Sequence, residues 1–361
     1  MKLPELKIGE LVAKIPIIQG GMGVGISRSN LAGAVAKEGG IGVISTAQIG
    51  FDEPDFEINT LQCNLRSLEK HIKKAKEISK GNGIVAINIM SVTNFYKENV
   101  KKAIESGIDL IISGAGLPKE LPKLVEGTKV KIAPIISSAR GAGLMIKLWA
   151  KQNHIPDMIV VEGPEAGGHL GFSREELEDE NKKDIYSIVK EVVEKVKEFE
   201  EEFKTKIPVI AAGGIYTGKD IAKALKSGAS GVQMATRFVA TEECDADIKY
   251  KEAYIKASKE KIEIVQSPVG MPGRAIKNKF IQEVEKKKSE GIKGTDKKCL
   301  GCIKTCNPLE TPYCITRALI NAVKGDVENA LLFVGSNAYR INEITTVKLL
   351  MKELVEEAES I

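Results

Sequence analysis

At 361 residues, 43% hydrophobic and 28% charged, the chain can bury one barrel-sized core or two ordinary ones, and global disorder is excluded. The net charge of +4 is spread over Lys/Glu-rich helical faces and aromatics make up only 5%, which argues against nucleic acid and membrane surfaces as partners. The opening Met1-Lys2-Leu3-Pro4-Glu5 lacks an apolar signal core and no run reaches transmembrane length, so a soluble cytoplasmic protein is expected.

Short β-branched runs recur at 15–19, 41–45, 84–88, 110–113, 131–136, 158–161, 208–211 and 231–234. Amphipathic stretches of helical spacing lie between them, at 31–37, 68–79, 100–106, 144–150, 185–203 and 221–226. Gly39, Gly107 and Gly228 follow such stretches, in keeping with helix exits. Eight strand–helix units predict parallel strands and an α/β fold, a (β/α)8 TIM barrel over 8–260, with an open doubly wound sheet as the alternative. The remaining 261–361 reads as an extension with a Cys-rich segment and C-terminal helices packing back on the barrel.

In such a barrel, chemistry belongs where strands end and helices begin. Residues 162–171 follow an apolar strand and read Glu-Gly-Pro-Glu-Ala-Gly-Gly-His-Leu-Gly. Glycine lets backbone approach a flat ligand, and histidine moves its proton near neutral pH. His169 is therefore the candidate catalytic group; His71, within a helix, and His154, before a strand, read as structural. Glu162 and Glu165 flank the loop and could orient the histidine or bind a cation, a solvated carboxylate being the alternative. Ser137 and Ser138 follow the fifth strand, as ligand contacts or as a helix N-cap.

The seventh and eighth strands end in Ala212-Gly213-Gly214-Ile215 and Met234-Ala235-Thr236-Arg237-Phe238. Those two loops often bind phosphate through backbone N–H groups in barrels, so a phosphate-bearing cofactor such as FMN is expected. The run Gly20-Gly21-Met22-Gly23-Val24-Gly25 has the look of a dinucleotide fingerprint, but Ile44-Ser45-Thr46 stands where an acidic residue would bind ribose, which disfavours NAD there.

These segments, with Pro16 to Gly23, Asn88-Ile89-Met90, Gly231 to Phe238 and Gly270 to Ile276, resemble the nitronate monooxygenase (2-nitropropane dioxygenase) family, which includes flavin-dependent enoyl-acyl-carrier-protein reductases. The resemblance covers about 8–345 and implies non-covalent FMN on the C-terminal face of the barrel. By that likeness Gly21, Met22 and Gly23 lie against the flavin ring, Asn88 hydrogen-bonds the cofactor, and Gly167 and Gly168 let the histidine loop pass close to it. Gly213, Gly214, Gln233 and Thr236, with neighbouring Met234 and Ala235, hold the phosphate end, and Glu162 belongs to the same cradle. His169 is the active-site imidazole, and Arg274 meets an anionic substrate or forms a surface ion pair.

Cys299, Cys302, Cys306 and Cys314 fall within 299–314. In a cytoplasmic protein clustered thiols suggest zinc or an iron–sulfur cluster, with reduced thiols in a helical cap as the alternative. Isolated Cys63 and Cys244 read as buried apolar residues.

Three functions fit. The leading one is FMN-dependent oxidation of alkyl nitronates by oxygen to a carbonyl compound and nitrite. The second is NAD(P)H-dependent reduction of an enoyl thioester on an acyl carrier protein, for which the Lys-rich 286–298 is a candidate docking stretch. The third is a flavin- or metal-binding redox sensor. A small-molecule substrate and a homodimer are the expected partners.

Overall fold

The computed structural model describes residues 2–295 and 299–361. An antiparallel hairpin, β1 (Leu6–Ile8) and β2 (Leu11–Ala13), precedes strand β3 (Ile17–Gln19). Then α1 (Ser29–Lys37) leads to β4 (Ile41–Ser45), α2 (Thr60–Ser79) to β5 (Ile84–Met90) and α3 (Tyr96–Glu105) to β6 (Leu110–Gly114). Next, α4 (Leu121–Val125) leads to β7 (Lys131–Ile136) and α5 (Ala139–Ala150) to β8 (Ile159–Glu162). A two-residue strand β9 (Gly168–His169), α6 (Arg174–Glu178) and α7 (Ile185–Phe203) come before β10 (Val209–Ala212), α8 (Gly218–Lys226) and β11 (Gly231–Met234). The chain ends with α9 (Thr236–Val239), α10 (Ile248–Ile255), the hairpin β12 (Ile262–Gln266) and β13 (Pro272–Ile276), α11 (Lys279–Ser289), α12 (Ile315–Val323) and α13 (Val347–Glu359).

Eight of these strands close into a barrel in the order β10-β11-β3-β4-β5-β6-β7-β8. Every pairing in it is parallel; Gln19, for example, lies opposite Gly42 on one side and Met234 on the other. The closure excludes the open doubly wound sheet. Strands of a parallel barrel are covered on both faces, which is why they read as Ile/Val/Ala-rich runs and not as an apolar/polar alternation. Alternate residues face opposite ways: Ile18, Val43, Ala86, Ile112 and Val160 pack in one buried cluster, Ile17, Ile44, Val85, Ile111 and Val161 in another with the helices. Leu6, Ile8 and Ala13 of the first hairpin join the former cluster and are buried. That hairpin closes one end of the barrel, and the loops following the strands are left to build the other.

The helices extend further than their apolar stripes predict. Helix α2 begins at Thr60 and α5 at Ala139, each a turn or more ahead of its apolar stripe. Ser138 is the N-cap of α5, accepting from Gly141 N–H at 3.2 Å.

The extension takes part in the barrel's working end. Strand β13 pairs with β12 on one side and with β9 on the other, setting Gly273 opposite His169 and Arg274 opposite Gly168. Helix α13 packs back on the barrel: Val347, Leu350 and Leu354 are buried in the cluster that also holds the α1 and α8 side chains, and Glu357 accepts from Gly218 N–H at 2.7 Å. No helix among the described residues is long and apolar enough to cross a membrane.

Candidate active site

A cavity of about 350 Å³ opens at the C-terminal ends of the barrel strands, within the usual size range of cofactor sites. Gly21, Met22, Gly23, Asn88, Glu162, Gly167, Gly168, His169, Gly213, Gly214, Gln233, Met234, Ala235 and Thr236 all line it, and so does Ser137. Dispersed over six strand ends, these residues meet only because the barrel closes.

Its walls are largely backbone. Gly213 (φ +87°) and Gly214 (φ +85°) adopt the left-handed conformation that favours glycine. A Cβ on Gly213 would stand 2.9 Å from Ala166 N, so the two loops touch with no room for a side chain. The N–H groups of Gly213 and Gly214, and the Thr236 hydroxyl, have no protein partner among the described residues. They are unspent donors at the mouth, the arrangement that binds phosphate. On another wall Asn88 lies on β5, two residues before its end; its amide is 3.5 Å from Ile112 O, a marginal bond that leaves it available to a ligand.

His169 stands on β9, held from three sides. Its Nε2 lies 2.7 Å from the hydroxyl of buried Ser267. Its ring meets Phe333 edge-on at 4.9 Å between centroids. Its backbone is held by β13. Burial pushes its pKa down to about 4, so the imidazole is neutral at physiological pH. It is therefore a base or a hydrogen-bonding group, and the protonated imidazolium needed to pair with an anion is disfavoured. Nδ1 has no protein hydrogen-bond partner among the described residues.

Glu162 ends β8 beneath this loop, where Oε2 accepts from Gly171 N–H at 3.2 Å. Burial raises its pKa to about 7, against the opposing pull of that N–H and of Arg274. Both Glu162 and His169 present their remaining surface to the cavity rather than to bulk solvent. Ser137 Oγ donates to Gly171 O at 3.1 Å, tying the fifth loop to the sixth.

Two sequence expectations are corrected here. Arg274 neither lines the cavity nor forms a surface ion pair. It is 6% exposed and its guanidinium donates to Ala166 O and, at 2.9 Å, to Pro164 O, so its donors serve the histidine loop's own carbonyls. The cysteines do not assemble as ligands: among the described residues no group of three or more His, Cys, Asp or Glu side chains could hold a metal ion. Cys302 and Cys306 instead pack in an apolar cluster around Ile303, Tyr313 and Ile315, where burial raises both thiols. Of the Lys-rich 286–298, residues 296–298 lie outside the described residues.

The other histidines are structural. His71 Nδ1 lies 2.9 Å from Ser29 Oγ between α2 and α1, and His154 pairs with Asp157 at 3.3 Å before β8. Cys63 and Cys244 are buried.

Ser267, Phe333, Val334 and Gly335 escaped the sequence reading. All but Ser267 line the cavity, and Tyr254 supports them by donating to Phe333 O at 2.6 Å. They lie 98 or more positions beyond the histidine they serve, in segments with no glycine-rich signature.

A closed barrel whose C-terminal mouth combines bare backbone, unspent phosphate-type donors and a neutral buried imidazole defines a cofactor-dependent TIM-barrel enzyme. The nitronate monooxygenase family model matches residues 5–357, and the chain belongs to that family. It is 30% identical over 305 residues to a probable nitronate monooxygenase of Staphylococcus saprophyticus, covering 79% of this chain and 81% of that one. It is also 28% identical over 272 residues to a hydroxy-methyl-oxo-octahydro-indene-carboxyl-CoA dehydrogenase of Mycobacterium tuberculosis, covering 75% of this chain and 65% of that enzyme. Among solved structures, FabK from Thermotoga maritima superposes with a TM-score of 0.74 at 27% identity, covering 98% of this chain and 94% of FabK. The fold is shared as well with nitroalkane oxidase from Streptomyces ansochromogenes, at a TM-score of 0.72, 19% identity and 96% coverage of each chain. The protein is thus an FMN-dependent oxidoreductase of the nitronate monooxygenase kind. The residues present fit FMN: the glycine walls admit a flat ring, and the free N–H groups of Gly213 and Gly214 suit its phosphate.

Proposed function

We propose that the chain oxidises alkyl nitronates to a carbonyl compound and nitrite with oxygen, and that His169 handles the proton. The neutral His169 imidazole on the cavity wall carries this reading. Bound FMN would supply the electron-accepting and oxygen-reacting centre. Gly213, Gly214, Thr236 and Gln233 would hold its phosphate end, Asn88 and the backbone of Gly21, Met22 and Gly23 its ring, with Gly167, Gly168, Met234 and Ala235 closing the cradle.

The chain's own groups suit a nitroalkane, a neutral carbon acid, and the nitronate left when its α-proton passes to the imidazole. A neutral imidazole can take the acidic proton of a nitroalkane or hydrogen-bond its nitronate, a contribution of about 10²–10⁴ in rate. Ser267 fixes the ring in either tautomer: Nε2–H donating to Oγ leaves Nδ1 as base, and Oγ–H donating to Nε2 leaves Nδ1–H as donor. With its pKa raised to about 7, Glu162 is protonated below neutral pH and there avoids setting a second negative charge beside the substrate. Arg274, behind the loop, holds the carbonyls of Ala166 and Pro164 and so fixes the loop that carries the imidazole.

Reduction of an enoyl thioester is the second reading, favoured by the FabK likeness along nearly the whole chain. An anaerobic absorbance experiment separates the two. Bleaching of the flavin bands by propyl-1-nitronate and not by NADH is expected. Bleaching by NADH alone would transfer the assignment to the reductase, and a purified protein without flavin bands would sink both.

A further inference from the structure

The charge of the cavity wall is one-sided. Among the described residues it carries two carboxylates, Glu162 and Glu165, and the neutral His169 imidazole, while no lysine or arginine lines it. A smaller space continues past Met90, Thr93, His169 and Leu319 and adds no other charged side chain. Arg274 and Lys182 act on these carboxylates without lining the cavity, and both are spent. Arg274 donates to Ala166 O and Pro164 O, and its charge is felt by Glu165 and Glu162. Lys182 Nζ stands 3.7 Å from Glu165 Oε1. Neither presents a free cation to a ligand.

The unspent donors serve another part of the site. The N–H groups of Gly213 and Gly214 and the Thr236 hydroxyl suit the FMN phosphate, so they are not left for a substrate's tail. Around the imidazole the surface is largely apolar: Met90 and Leu319 share the wall with His169, and the Phe333 ring meets it at 4.9 Å. Met271 lines the same cavity two positions before Gly273, the residue opposite His169 on β13. A carboxylate entering here would lose its water, find no cation and add to the charge of Glu165. Above about pH 7 it would meet the charge of Glu162 as well. An alkyl or amide group of the same size brings no such charge.

We propose that the substrate is a nitroalkane, or its nitronate, whose remainder is uncharged: Glu165 and a wall without a free cation exclude a second anionic group such as a carboxylate. The inference rests on the nitronate reading above, because it assumes a nitro-bearing carbon reacting beside His169.

The test is anaerobic flavin reduction in the holoenzyme at pH 8 by three nitronates of matched size, those of 1-nitro-3-methylbutane, 3-nitropropanamide and 3-nitropropionate. The proteins are wild type, Glu165→Gln and Met271→Lys. In wild type the isopropyl-ended and amide-ended nitronates should each exceed the carboxylate-ended one about 10-fold or more in the ratio of reduction rate to dissociation constant. Glu165→Gln, which removes one negative charge, should narrow that gap by about threefold or more. Met271→Lys, which adds a cation to the wall, should bring the carboxylate-ended nitronate level with the amide; should that variant not fold, Glu165→Gln alone decides. A carboxylate-ended nitronate as good as the amide in wild type, or a gap that neither variant narrows, would overturn the proposal. Should no nitronate bleach the flavin, the same three are titrated by perturbation of the flavin spectrum. Tighter binding of the amide than of the carboxylate, with the gap narrowed in Glu165→Gln, would then keep the charge preference and refute only the reaction, and equal affinities would refute the preference too.

Discussion

Glu162→Gln should stabilise this protein, and only on the alkaline side. The carboxyl ends β8 beneath the histidine loop, and burial raises its pKa from 4.5 to about 7. A folded pKa above the unfolded one means that the native state binds the proton more tightly. The resulting stability is fully present below pH 4.5 and is lost as pH rises through 7. At about 1.4 kcal/mol per unit, the ionised carboxylate costs the fold up to about 3 kcal/mol at pH 8. That figure is an upper bound, because water in the cavity solvates the charge in part. Glutamine keeps a carbonyl oxygen for Gly171 N–H and has no charge to bury. In urea unfolding of flavin-free protein, the stability difference between variant and wild type should therefore grow by about 2–3 kcal/mol between pH 4.5 and pH 8, in favour of the variant. A difference independent of pH would show that Glu162 ionises without strain, and with it would fall the argument that a neutral carboxyl faces the substrate.

His169→Ala should lower turnover by about 10²-fold or more with flavin content unchanged, since the cradle is backbone. In wild type the limb of the pH profile that requires a neutral imidazole should fall only as pH drops toward about 4; a break near 6.5 would mean that the ring is solvated. Ser267→Ala frees the ring to turn and should reduce kcat about 10-fold with FMN retained, and unaltered kinetics would remove Ser267 as a positioning residue. Gly213→Asp forces a side chain into a left-handed position 2.9 Å from Ala166 N and sets a carboxylate against the phosphate donors. The variant should purify without flavin absorbance, and normal occupancy would mean that the phosphate lies elsewhere.

The barrel was legible because its strands are locally overdetermined. A strand buried on both faces is largely apolar along its length, so 41–45, 84–88 and 158–161 stand out as Ile/Val-rich runs whatever their neighbours do. Amphipathic helices carry their own period, and the 185–203 stretch matches α7 (Ile185–Phe203) end to end. The glycine loops were legible for a related reason: positive φ and close backbone approach restrict the residue type at the position itself, as at Gly213 and Gly214.

Long-range contacts leave no such local mark. The β12–β13 hairpin reads Ile-Glu-Ile-Val-Gln and Pro-Gly-Arg-Ala-Ile, too short and mixed to stand out, yet it supplies the backbone of β9 with its partner. Arg274 looked like an anion receptor because a cation near a glycine loop has that meaning in one dimension. Folding turns it inward onto Ala166 O and Pro164 O. The four cysteines suggested ligands by spacing, but coordination depends on where thiols point, and Cys302 and Cys306 point into apolar packing. What the sequence by itself determined is the set of elements and the chemistry at their ends, since both follow from the preferences of single residues and their periods. What only the tertiary structure decided is which distant groups surround the imidazole: Ser267 and Phe333, 98 and 164 positions further on, reach His169 because barrel closure and the returning extension bring them together only after the chain has packed.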